Sequence, residues 1–131
     1  MSDLIAEFVG LRRWAVVGVS DDQTKFGRRI FDDMRSAGYN VVPVHPTVTA
    51  LDDGTKVYAT VSAIPDPVDV VDMVIPPKAA PAVLRDLAQA GATRVWFQPG
   101  AADQAALDLA HALGLQVIAG GPCCMVEKRI W

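Results

Sequence analysis

The chain has 131 residues, 51% of them hydrophobic and 21% charged, with a formal net charge of −3. That composition supplies a full core, fits a single domain over residues 1–131, and gives no basic run of the kind a nucleic-acid partner needs. No apolar run approaches the ~20 residues of a membrane span, and the opening MSDLIAEFVGLRRW lacks the charged-then-apolar order of a signal peptide.

The first predicted element is a helix over 3–12, with Leu4, Ile5, Phe8 and Leu11 on one side and Asp3 as its N-cap. WAVVGVS (14–20) is short and valine-rich, like a strand buried on both faces. Residues 26–37 form a helix with Phe26, Ile30, Phe31 and Met34 at helical spacing, Thr24 as N-cap and Gly38 as its stop. YNVVPVHP (39–46) is a second buried strand, ended by Pro46. Residues 47–65 are less regular: Asp53-Gly54 marks a turn, 56–59 a short strand, and 61–64 one helical turn. VDVVDMVIPP (68–77) is a third apolar run, with Asp66, Asp69 and Asp72 expected around its entrance as turn and edge residues. A helix over 78–90 ends at Gly91, and ATRVWFQPG (92–100) is the next strand and turn. An alanine-rich helix over 103–113 closes at Gly114, and LQVIAGGP (115–122) is the last strand and loop. Strands alternating with helices predict an α/β fold, a Rossmann-like, doubly wound parallel sheet of about five strands with helices on both faces.

In such a sheet ligands bind beyond the carboxyl ends of the strands. Five segments fall there, 18–27, 44–47, 75–78, 97–100 and 119–124, and each carries Gly or Pro. Gly18 permits a tight turn and close approach to the backbone. The helix starting near Lys25 offers free amides and a positive dipole end to a phosphate. Ser20 and Thr24 add hydroxyls, and Lys25 and Arg28 add charge. A plain strand–helix connection with a solvated Lys and Arg fits this loop equally well. The second strand end, Val44-His45-Pro46, has no Asp or Glu to hold the ribose hydroxyls of NAD. An adenine nucleotide with a phosphate on its ribose, as in coenzyme A, suits it better. His45 alone is expected to be a surface hydrogen-bonder.

The stretches VVGVSDDQTKFGRRIFDDMRSAGYNVVPVHP, IPDPVDVVDMVIPP and GATRVWFQPGAAD, with the final cysteine-containing loop, carry a resemblance. Over about Leu11 to Ile130 the chain resembles the small single-domain CoA-binding proteins, which are similar to the N-terminal domain of the succinyl-CoA synthetase α subunit. The resemblance implies a coenzyme A or acyl-CoA site. In it Gly18, Val19 and Ser20 with Lys25, Gly27 and Arg28 hold phosphates at the helix start. Val44, His45 and Pro46 flank the adenine-ribose end, Ile75, Pro76 and Pro77 form the opposite wall, and Gln98, Pro99 and Gly100 lie toward the pantetheine arm. Two departures stand out: the family usually has Asn where this chain has His45, and the synthetase has a lysine shortly after the next proline, where this chain has no cation before Lys56.

Catalytic machinery is not expected. His111 is expected to sit partly exposed on a helix, and the pairs Asp21-Asp22, Asp32-Asp33 and Asp52-Asp53 to be solvated. No His, Cys and carboxylate spacing matches a metal site, and Trp14, Trp96 and Trp131 are packing aromatics. The adjacent cysteines Cys123 and Cys124 suit a reduced, cytoplasmic setting. Cys123 lies on the ligand side, either near a cofactor sulfur or as a small buried apolar residue, and the second is the expectation. The reading is a non-enzymatic CoA-binding module with no nucleic-acid or membrane partner. A homodimer through Trp131 and the N-terminal helix stays open. Its rivals are an NAD(P)-binding small oxidoreductase or regulatory domain, and an interaction domain without ligand.

Overall fold

A computed structural model of the chain describes residues 2–131. Five parallel strands, β1 (Arg13–Val17), β2 (Asn40–Val44), β3 (Val70–Met73), β4 (Arg94–Phe97) and β5 (Gln116–Ile118), form one sheet in the order β2-β1-β3-β4-β5. Register runs from Trp14 opposite Val41 and Val70 through Asp72 opposite Trp96 to Trp96 opposite Ile118. This is the doubly wound order whose switch point lies between β1 and β3. Five helices accompany it: α1 (Ser2–Val9), α2 (Phe26–Ser36), α3 (Ala80–Gln89) behind a 3-10 turn at Pro77–Ala79, α4 (Gln104–Ala112) and the short α5 (Cys124–Glu127).

Alternation along the strands splits the core in two. Ala15, Val17, Val71, Met73, Val95 and Phe97 face Leu84 and Leu87 of α3 and Ala106 and Ala110 of α4. Trp14, Val16, Val70, Trp96 and Ile118 face Phe8 of α1 and Ile30, Phe31 and Met34 of α2. The second face is aromatic: the Trp14 and Trp96 ring centroids lie 5.9 Å apart, and Tyr39 meets Trp14 edge-on at 5.7 Å. Both fully buried indoles keep their N–H satisfied, Trp14 donating to Leu11 O at 2.7 Å and Trp96 to Pro122 O at 3.0 Å, so their large apolar area is buried without a stranded donor. Trp131 closes the column: its ring stacks edge-on against Tyr39 at 5.8 Å, and its backbone N–H donates to Ala37 O at 2.8 Å.

The sheet differs from the sequence reading in four places. β2 is an edge strand and not a fully buried one, which explains how it tolerates Pro43. Residues 56–58 make only isolated bridges, Ala50 with Lys56 and Val44 with Tyr58, and partly cover that edge. Asp3 lies in the first turn of α1 and does not cap it. Asp72 is not an edge residue: it is the third residue of β3, a central strand paired on both sides by β1 and β4, and it is fully buried. Among the described residues no helix is long and apolar enough to cross a membrane.

Candidate functional site

The carboxyl edge at the switch point is built from two glycines. Gly18 follows β1 with φ +110, and a Cβ there would lie 2.2 Å from Val74 O; Gly27 in α2 packs so close that its Cβ would lie 2.1 Å from Gly18 O. Only glycine allows β1, β3 and α2 to approach this closely. The N–H groups of Gly18 and Val19 both donate to Val44 O, at 2.9 and 3.2 Å. These two amides are therefore spent on joining β1 to β2. The Val19 side chain is fully buried against the α2 face.

The available donors lie one step further on. Thr24 does not cap α2; its hydroxyl and N–H both go to Asp22 Oδ1, at 2.6 and 3.0 Å. These bonds from Thr24, side chain first, hold the Asp22 carboxyl below its ordinary range. The N-cap is Lys25, extended at φ −75 and ψ 145, with no side-chain bond to the helix. The first intrahelical donor is Arg29, to Lys25 O at 3.1 Å. The amides of Phe26, Gly27 and Arg28 thus have no acceptor within the helix, at its positive dipole end. Ser20 is half-buried beside them, and Lys25 is exposed.

Arg28 is differently placed from a solvated loop cation. It is 4% exposed, and its guanidinium reaches Asp32 at 3.1 Å, Asp52 at 3.1 Å and Asp21 at 3.5 Å. Burial works against its charge, but the hydrogen bonds to Asp32 and Asp52 outweigh it and hold the group above its ordinary pKa. One member of each Asp pair is therefore recruited to Arg28, while all three carboxylates keep about half of their surface in solvent, as expected of solvated pairs. The network ties the 18–25 loop and the 52–55 turn to α2. Asp53 does the same locally, held down to about 2 chiefly by hydrogen bonds from Thr55, with Arg35 beside it at 3.0 Å.

On the other side of the switch point, Val17, Val44, Pro46, Val61, Ile75 and Val83 line an apolar cavity of about 190 Å³. Val61, Ala79 and Val83 had no place in the site read from sequence, although the spacing of 79 and 83 along the 78–90 helix carries them to one face. Pro76, Pro77 and the exposed Lys78 shape the rim after β3. His45 closes β2: its Nδ1 accepts from the N–H groups of Thr47 and Val48, each at 3.1 Å. Accepting at Nδ1 leaves the ring proton of the neutral imidazole on Nε2. This is the kind of turn an Asn side chain forms with the amides that follow it.

Of the residues expected toward the pantetheine arm, Gln98 is not on this surface. Gln98 is 1% exposed and donates from Nε2 to Asp72 Oδ1 at 2.6 Å, so its amide is engaged inside the protein, while Pro99 and Gly100 are exposed. Cys124 is fully buried, and its thiol donates to Asp72 Oδ2 at 3.1 Å. Cys123 is half-buried. Burial pushes the Asp72 carboxyl up to about 7, against the hydrogen bonds from Gln98 and Cys124. His111 is exposed on α4. Among the described residues no group of His, Cys, Asp or Glu is placed to hold a metal ion.

An open parallel sheet with an uncapped helix start on one side of its switch point and an apolar cavity on the other is a nucleotide-binding α/β unit. Residues 12–129 match the family described as CoA binding domain, and the chain belongs to that family. It is similar to the uncharacterized protein YneT of Bacillus subtilis, 31% identical over 82% of this chain and 78% of that one. A solved structure of a hypothetical protein from Pyrococcus horikoshii superposes with a TM-score of 0.89 at 30% identity, over 97% of this chain and 89% of that one. The α subunit of the ADP-forming acetate–CoA ligase II of Pyrococcus furiosus is 29% identical over 90% of this chain, which spans 28% of that subunit.

Proposed function

We propose that the chain binds coenzyme A or an acyl-CoA across the switch point and performs no catalytic step of its own. The diphosphate rests on the amides of Phe26, Gly27 and Arg28, and the adenine enters the cavity between Val44, Pro46 and Ile75. The single observation behind this reading is that helix amides without an intrahelical acceptor and an apolar cavity lie together at the carboxyl ends of β1, β2 and β3, the cavity lined by Val17, Val44 and Ile75 and the amides at the start of the helix that follows β1. Arg28 acts from beneath, holding the loop, while the exposed Lys25 and Lys78 are the cations available to phosphate oxygens.

Calorimetric titration with CoA, dephospho-CoA, NAD and ATP tests it. CoA is expected to bind tightest; NAD binding more tightly, or no binding by any of the four, rejects the proposal. The Phe26→Pro variant removes one amide at a position where helices accept proline, and Lys25 already has the extended backbone that precedes proline. It should weaken CoA about tenfold, or ~1.4 kcal/mol, while Phe26→Ala, which keeps the amide, should not.

A further inference from the structure

Four large apolar side chains are exposed among the described residues: Phe26, Val126, Ile130 and Trp131. Phe26 sits at the start of α2, beside the site proposed for the cofactor. The other three fall within 126–131, on and after α5, where Val126 is 79% and Ile130 78% exposed. A single apolar residue on a surface needs no explanation, but three in one short stretch mark a contact surface. The segment is pinned on both sides of Ile130: the Arg129 N–H donates to Tyr39 Oη at 3.0 Å, and the Trp131 N–H to Ala37 O at 2.8 Å. Before them Lys128 Nζ is held by Met125 O at 2.7 Å and by Asp33 at 2.9 Å. Ile130 therefore projects from a fixed backbone, so docking it costs little conformational entropy.

A recess adjoins this segment. Ile5, Ala6 and Val9 of α1, with Glu127 and Arg129, line an open groove of about 460 Å³. The face borders Gly10 and Gly38, which precede β1 and β2, so it lies away from the carboxyl edge of the sheet. Its charges are of both signs. Glu7 is spent on Arg94 at 3.0 Å, and Lys128 on Asp33. Glu127 and Arg129 are exposed, and among the described residues neither has an ion-pair partner. The exposed Asp3 and Arg12 add one more charge of each sign, Arg12 lying 4.7 Å over the Trp131 ring. A uniformly acidic or uniformly basic partner is repelled by half of these groups. A surface that carries the same set, turned about a two-fold axis, sets Glu127 against Arg129 twice over.

We propose that this face binds a second copy of the chain in a two-fold dimer, with Ile130 of each protomer seated in the Ile5–Val9 groove of the other. Val126 and Trp131 give the contact its apolar centre. The Glu127–Arg129 pairs form its rim, where charges fix register more than affinity. Each contact occurs twice about the axis, so a projection and a recess on one face close the assembly at two copies. The carboxyl edge stays open in both protomers, and the dimer does not depend on the cofactor reading.

Sedimentation equilibrium of the full chain across the micromolar range, without nucleotide, tests this. The expected result is a reversible monomer–dimer equilibrium. A monomer at every concentration, or growth beyond the dimer, overturns the proposal. Ile130→Asp should sediment as a monomer with an unchanged thermal midpoint, because that side chain is 78% exposed. Ala6→Glu, at an exposed helix position in the groove, should do the same by filling the recess. A dimer as tight as that of the wild type in either variant places the contact on another face and also overturns the proposal. Glu127→Arg and Arg129→Glu should each weaken association by about tenfold or more, because each brings like charges together. The double exchange should restore it; two weak single variants with no recovery in the double exclude the two-fold pairing.

Discussion

Among the described residues Arg28 and Asp72 are the buried side chains that would be charged in neutral water, and they are treated in opposite ways. Arg28 keeps its charge because three carboxylates, each about half exposed, converge on one guanidinium. Asp72 meets no cation; its partners are an amide and a thiol, and burial shifts it toward the neutral acid instead. A compensated charge holds a loop for as long as its carboxylate partners stay ionised. An uncompensated one becomes a proton store whose state follows the solution. The difference separates the loop edge that an ion-pair network holds in place from the buried middle of the sheet.

The largest expected effect comes from Asp72. Its folded-state pKa lies above the unfolded value, so the folded protein holds more protons between about pH 4 and about pH 7 and loses stability as pH rises through that window. The loss should be on the order of a few kcal/mol by linkage, and Asp72→Asn should flatten it. Cys123 acts in the other direction, its lowered pKa adding stability as pH rises between about 6 and 9, so the comparison of wild type with variant is made at each pH. Denaturation midpoints from pH 4 to 8 check this, and identical pH profiles for the two proteins would mean that Asp72 is not the store.

Arg28→Met should be milder, costing about 2 kcal/mol at every pH above 5, because the carboxylates it leaves behind are already half in water. Asp52→Asn, which leaves two carboxylates in place, should cost less than half of that. Urea unfolding of both variants tests whether neutralisation is shared; a larger cost for Asp52→Asn would assign the role to a single pair.

His45, whose Nδ1 accepts two amide bonds, gives the smallest effect. His45→Ala should cost about 1 kcal/mol for the turn bonds it removes, and His45→Asn should keep most of them. Thermal melts of the two variants side by side decide whether the imidazole acts as an amide would; equal losses would leave the ring packing, not Nδ1, as its contribution.

Periodicity made the sheet and its helices legible, since valine-rich runs and i, i+4 apolar spacing are local properties. Strand order is not local, and the edge position of β2 was hidden because its sequence is as apolar as that of β1. The loop glycines were legible as a close approach, but their partner is protein: Gly27 seats on Gly18 O and Gly18 on Val74 O. Arg28 could not be read from the first loop alone, because Asp52 reaches it from 24 residues away. Asp72 did leave a signal, a single carboxylate between Val71 and Met73, yet only the three-dimensional neighbours Gln98 and Cys124 explain why it is tolerated.

Trp131 deserves a mechanical reading. A Cβ on Gly38 would lie 2.7 Å from its own Cβ, its N–H is tied to Ala37, and the Arg12 guanidinium sits 4.7 Å over its ring. The terminal residue works as a buckle, drawing the segment after α5 across the turn that joins α2 to β2. Prising it loose would uncover Tyr39 and, behind it, Trp14.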